Sequence, residues 1–285
     1  MAKKQYNAFS LMEVLLAIGV LAIGLLFVAG TFPVGIFLTT SATEQTIAPL
    51  VADEAFAKIR IYSLPDPNSQ LDSTVSTGLR FDRIWFDTDD SGYGSYIHRN
   101  FVLDFNDTDS QGIIDHKKRA FITSEQLYPS MPSTKESFYQ WSALIKEAQK
   151  NTANTNVPVL ITVFVSHKTG QSLKYPDPAD ILNNVIPWPQ PLNIPVADVT
   201  GRKREIQITD ADLKQYINAD CTIVEDIRGE IYRILDRNDD IVTLDKDWQG
   251  GDPVGSDSTV WVIPQAIGGS KSPCIGVYQR IMKIK

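Results

Sequence analysis

The run from Phe9 to Phe32 is almost wholly apolar and carries a single charge, Glu13. As a helix rising 1.5 Å per residue it would reach about 36 Å, more than the roughly 30 Å hydrocarbon thickness of a bilayer. A charged side chain in such a segment costs roughly 2–3 kcal/mol or more, so it persists where it has a partner or a task. Glu13 is therefore the first candidate functional residue. A secretory signal also joins a basic start to an apolar middle, but its middle is shorter, uncharged and followed by small residues at a cut. Val28-Ala29-Gly30 fits that cut only loosely, and Glu13 stands where a signal is purely apolar.

Behind Lys3 and Lys4, the stretch Ala8-Phe9-Ser10-Leu11-Met12-Glu13-Val14-Leu15-Leu16 resembles the N-terminal cleavage and methylation motif of type IV prepilins and type II secretion pseudopilins. The continuation Ala17-Ile18-Gly19-Val20-Leu21-Ala22-Ile23-Gly24-Leu25-Leu26 is most similar to the PilV group of minor pilins. The resemblance implies a leader at 1–8, cut by a prepilin peptidase between Ala8 and Phe9, with methylation of the new Phe9 amine. Ala8 stands where the family usually has glycine. Glu13, at the fifth mature position, would pair with the N-terminal amine of a neighbouring subunit during assembly. An amine and a carboxylate attract strongly in low dielectric, and each is costly to bury alone.

The fold implied is α+β and pilin-like: a transmembrane and assembly helix at 9–38, its exposed half at 39–64, and an extracytoplasmic domain at 65–285. In that domain the exposed half of the helix packs on an antiparallel β-meander. The function implied is that of a non-enzymatic minor pilin or pseudopilin, built into a type IV pilus or a type II secretion pseudopilus. Its partners would be the prepilin peptidase, other pilin or pseudopilin subunits and the inner membrane, crossed once with the C-terminal domain outside. No cofactor is expected. A different class is a signal-anchored or secreted enzyme or binding protein, whose sign would be a convergent polar pocket in the C-terminal domain.

The length of 285 residues allows a membrane segment plus one ordinary domain or two small ones, and 43% hydrophobic residues argues against a disordered product. The net charge of −7 becomes more negative if Lys3 and Lys4 leave with the leader, so general nucleic-acid binding is not expected. The one basic run, Gly201-Arg202-Lys203-Arg204, reads as a solvated turn. Cys221 and Cys274 are the only cysteines. An oxidising compartment permits a disulfide between them, two buried free thiols being the alternative, and neither has the neighbours of a zinc site.

Along the chain, Ile47, Leu50, Val51, Ala55, Ile59 and Tyr62 keep helical spacing, with Pro33 and Pro49 as points of bending and Leu64-Pro65-Asp66-Pro67-Asn68 as the stop. From 70 to 130 the composition is that of polar loops with short strands at Tyr96–Phe105 and Ala120–Thr123. Ser133-Thr134-Lys135-Glu136 reads as a capping box before Phe138, Trp141, Leu144, Ile145 and Ala148, which predicts a second helix. Val159–Val165 reads as a buried strand, and the proline-dense Tyr175–Pro195 as an extended loop or a connection between subdomains, with 175–200 the candidate point of subdivision. Ile206–Ile208, Thr222–Val224, Gly229–Leu235, Ile241–Leu244, Val260–Ile263 and Gly276–Ile284 read as successive strands of a meander, with a turn at Asp236–Asp240.

Asp107, Asp109 and Asp115 place oxygen ligands around Gly112 as calcium loops do, which makes them a weak calcium candidate. The twelfth position of an EF-hand would be Lys118, so an EF-hand is excluded and an acidic turn is the simpler reading. Asp87-Thr88-Asp89-Asp90-Ser91-Gly92 is a fainter copy of the pattern. No metal site is expected. His98, His116 and His167 lie far apart, and no nucleophile–base set assembles from spacing, so no catalytic residue is assigned.

Overall fold

Ser10 opens the long N-terminal helix. Its Oγ accepts the N–H of Met12 at 3.2 Å and its carbonyl that of Glu13 at 3.0 Å, which satisfies donors that a helix start leaves open. In the computed structural model this helix, α1, runs Leu11–Ile61. The residues described are 10–61, 82–83, 86–87, 121–122, 126–129, 138–148, 158–167, 173–178, 180–250, 258–268 and 272–283. Pro33 and Pro49 lie inside α1, and neither ends it. The chain forms two compact units, residues 1–47 and 48–285.

The described strands are β1 Asp82–Arg83, β2 Phe86–Asp87, β3 Phe121–Ile122, β4 Leu127–Tyr128, β5 Tyr139–Glu147, β6 Pro158–His167, β7 Tyr175–Asp177 and β8 Asp180–Ile186. They are followed by β9 Leu192–Asp198, β10 Glu205–Ile208, β11 Thr222–Glu225, β12 Ile231–Asn238, β13 Ile241–Leu244, β14 Ser258–Val262 and β15 Cys274–Lys283. The result is α+β with antiparallel sheets as the main body.

One sheet has the order β1-β5-β6-β15, with β4 also on β5. Its central strand β6, Pro-Val-Leu-Ile-Thr-Val-Phe-Val-Ser-His, is buried almost throughout. A strand reads as a continuous apolar run when both faces are covered, and here both are. On one face lie the last turns of α1: Asp53 accepts from Arg280 of β15 at 2.8 Å, and the same guanidinium sits 4.6 Å from the centre of the Phe56 ring. On the other face Leu144 and Phe164 pack with Val224, Trp261 and Ile263.

Val224 and Trp261 belong to a closed six-stranded barrel, β10-β13-β12-β11-β14-β9, and Ile263 directly follows its strand β14. Alternate residues fill its interior: Leu192, Ile194 and Val196 from β9, Ile206 and Ile208 from β10, Tyr232 and Ile234 from β12, Val242 and Leu244 from β13. Period two explains the choice, since a strand with one apolar face must turn that face inward. β11 and β14 are apolar on both faces because they touch the sheet as well as the barrel core. Leu213, Tyr216 and Ile217, around the 3-10 turn Lys214–Tyr216, add to the interior.

Three expectations need correction. The segment predicted as a second helix is β5, because Phe138, Trp141, Leu144 and Ile145 fit helical spacing while Tyr139, Trp141, Ala143 and Ile145 fit period two equally well. The β6 edge and the two covering layers then decide for a strand. Its capping box at 133–136 lies outside the described residues. Tyr175–Pro195 is not an extended connection: it holds the β7–β8 hairpin and the start of β9. Pro195 is tolerated there because its carbonyl, and so its missing donor, faces β10 where that ladder ends at the Ile208–Val196 pair. The carbonyl takes the Thr209 N–H at 3.2 Å. Third, the late strands are a closed barrel and not a meander, since β14 inserts between β11 and β9, and β15 leaves to pair with β6.

The buried stripe of α1 is Ala48, Val51, Ala52, Ala55, Phe56 and Ile59. Leu50, expected to pack, is 52% exposed, and Phe56 is buried although it was not singled out. The stripe is turned slightly from the one read in the sequence.

Candidate functional site

Glu13 is the third residue of α1, in the first turn, where a carboxylate also suits the helix dipole. Ser10 three positions earlier makes this a capping-box spacing that the sequence reading passed over. The large apolar side chains from Leu11 to Leu38 are 45–80% exposed on every side of the helix. A helix apolar all round needs an apolar surrounding, either lipid or other helices. α1 is long and apolar enough to cross a membrane. The candidate site is therefore an apolar rod with a carboxylate one turn from its start. Ala8 and Phe9 lie outside the described residues.

The acidic loops with Asp107, Asp109 and Asp115 also lie outside them, as do His98 and His116. Among the described residues no group of three or more His, Cys, Asp or Glu is placed to hold a metal ion. His167 ends β6 with its ring stacked on Tyr139 at 5.4 Å. The basic run at 201–204 is an exposed turn in which Arg202 pairs with Glu205 at 2.7 Å and Arg204 with Asp247 at 3.0 Å.

Cys221 and Cys274 are free thiols in this structure. The sequence left both states open. Cys221 lies in the barrel core, and the Cys274 thiol turns against the cluster between barrel and sheet. Ser272 is near both: its hydroxyl takes the Cys274 N–H at 3.3 Å and opposes the rise that burial imposes on the Cys221 thiol. Burial pushes the Cys221 thiol up and that of Cys274 up to about 12. With its thiol held so far up, Cys274 is almost wholly un-ionised at pH 8. Allowing for the greater nucleophilicity of a high-pKa thiolate, alkylation of the native protein should run on the order of a hundredfold slower than that of a free thiol. Timed iodoacetamide labelling with and without denaturant checks this, and equal rates in the two states would contradict it.

A second polar cluster was not foreseen. Lys146 of β5, Glu225 of β11 and the following Asp226 are 5%, 0% and 2% exposed where the barrel meets the sheet. Lys146 Nζ donates to the carbonyl of Ile227. Burial lowers the Lys146 pKa, while the charges of Glu225 and Asp226 oppose that fall. Glu225 accepts the N–H of Ile227 at 2.8 Å and that of Arg228, closing its own turn. Asp226 accepts Trp261 Nε1–H at 2.7 Å and the Thr259 hydroxyl at 3.0 Å. Gln279 of β15 adds a bridge, donating to Thr162 Oγ1 at 3.0 Å and to the Gly229 carbonyl at 2.7 Å. The one cue in the sequence was two acids closing an apolar strand, Thr222-Ile223-Val224-Glu225-Asp226.

Comparisons with family models, curated proteins and solved structures find no match to this chain.

Proposed function

We propose that the chain is a membrane-anchored, non-enzymatic structural subunit of the type IV pilin and type II secretion pseudopilin class, acting as a minor component of the filament. The observation that carries the reading is α1: apolar on every side from Leu11 to Leu38, broken by one carboxylate at Glu13, and continuing without interruption to Ile61. A simple anchor needs no acid in its span. A helix that must later leave lipid and pack among like helices has a use for one, because a buried amine from a neighbouring chain needs a counter-charge. The motif around Ala8, Phe9 and Glu13 supports the same reading. In it the prepilin peptidase and neighbouring subunits are the partners, and the α+β unit is carried on the outer side of the inner membrane.

N-terminal sequencing and intact mass of the protein taken from its native membrane test the proposal. The expected product begins at Phe9 with a methylated amine. A chain beginning at Thr31, or an uncut Met1, would overturn it.

A further inference from the structure

A row of polar side chains crosses the sheet where the barrel is inserted into it. Gln140 of β5 stands opposite Ser166 of β6, and Ser166 stands opposite Cys274, the first residue of β15. Directly opposed residues of neighbouring strands share a face, and side chains two and four positions apart share it too. Leu144 and Phe164, in step with Gln140 and Ser166, pack on the barrel side, so the row faces the barrel. Gln140 confirms this direction, since its Nε2 donates to the carbonyl of Pro189, three residues before the barrel strand β9, at 3.1 Å.

Gln140 and Ser166 are 2% and 1% exposed. Gln140 Oε1 and Ser166 Oγ nevertheless have no hydrogen-bond partner among the described residues. Buried polar atoms in native proteins are nearly always paired, because an unpaired one forfeits its hydration without return. The Gln140 amide cannot turn over to help, since only its NH₂ group can face the Pro189 carbonyl.

We propose that a buried water molecule bridges Gln140 Oε1 and Ser166 Oγ, so that the seam between sheet and barrel is hydrated at this row. The inference stands apart from the assembly role, which rests on α1. Chemistry selects the occupant. Oε1 only accepts, so whatever meets it must donate, while the serine hydroxyl serves as donor or acceptor. A cation would satisfy both oxygens, but the row holds no carboxylate to balance it, and an unbalanced buried charge is costly. A water donates to Oε1, takes the Ser166 proton and brings no charge. Geometry agrees as well: opposed residues have Cβ atoms about 4.5–5.5 Å apart, and one water joins oxygens up to about 5.5 Å apart. Two polar partners are enough to hold a buried water.

A crystal structure of the full-length protein in detergent, at a resolution that shows ordered water, tests the proposal directly. One water within about 3 Å of both oxygens is the expected result. A direct hydrogen bond between Gln140 and Ser166, or a dry contact, would overturn it. Thermal melts of the full-length protein give an independent reading. Ser166→Ala should lower the melting temperature by about 2–4 °C, the usual effect of one lost hydrogen bond in a chain of this size. A rise would overturn the proposal, because it would mean that the change had relieved a bare oxygen. In a Gln140→Leu background the shift caused by Ser166→Ala should shrink at least twofold, since the water has already lost one of its two partners. A shift of the same size in both backgrounds would show that no bridge couples the two residues, and would overturn it too.

Discussion

Removing residues up to Ile61 should turn a soluble domain into an aggregating one, whereas a chain that begins at Ser41 should stay soluble and monomeric. The shorter chain loses Val51, Phe56 and Ile59, each at most 3% exposed, together with three buried alanines. At roughly 1.5–3 kcal/mol for each large side chain, the loss is about 5–9 kcal/mol, comparable with the entire stability of an ordinary domain. It also uncovers the sheet face on which Ile145 and Ile161 are paired. Thermal melts and size-exclusion profiles of the two chains decide the matter. Equal melting temperatures and equal solubility would mean that the last turns of α1 contribute nothing to the domain.

Glu13→Ala should leave the protein in the membrane and keep it out of filaments. The change makes the apolar run of α1 uniform, so insertion is unimpaired or improved. Under the proposed function it also strips a buried amine of its counter-charge, a loss of about 3–5 kcal/mol, or at least a hundredfold in the equilibrium of incorporation. Quantitative recovery from sheared filaments against membranes measures the ratio. Equal recovery of variant and wild type in filaments would remove Glu13 from assembly.

Local patterns carried much of this molecule. Ile241–Leu244 could be read as a strand because alternation and β-branched residues act within a few residues, and it is β13 with those bounds. Val159–Val165 could be read as buried on both sides because nothing polar but Thr162 interrupts it. Closure of the barrel could not be read, since whether β14 pairs with β11 and β9 depends on partners far away in sequence. Trp261 and Val224 held a hint, as their strands were apolar on the face that a free-standing barrel would leave polar. The error at β5 had the same root: Trp141 and Ile145 fit two periods, and only the neighbouring strand chooses. Glu13 was legible because its oddity is local, a charge in an apolar run. Lys146, Glu225 and Asp226 were not, because each looks ordinary until the fold brings them together.

The barrel lies wholly between β6 and β15, two strands that are partners in the sheet, with Val165 against Gly276 and Pro158 against Lys283. The sheet therefore cannot be completed as the chain emerges. β6 waits with one edge open until the last residues arrive, and such an edge is an invitation to mispair. The barrel strands, by contrast, are contiguous from Leu192 to Val262 and close on themselves with no partner from outside. Order of synthesis and order of closure agree: the insert can finish first, and by finishing it brings the start of β15 back beside the end of β6. The long detour becomes a short gap to bridge, which lowers the loop-closure entropy of the final pairing. A lesion in the barrel core would thus surface as a defect in the sheet, with the C-terminal strand arriving and finding its place not yet prepared.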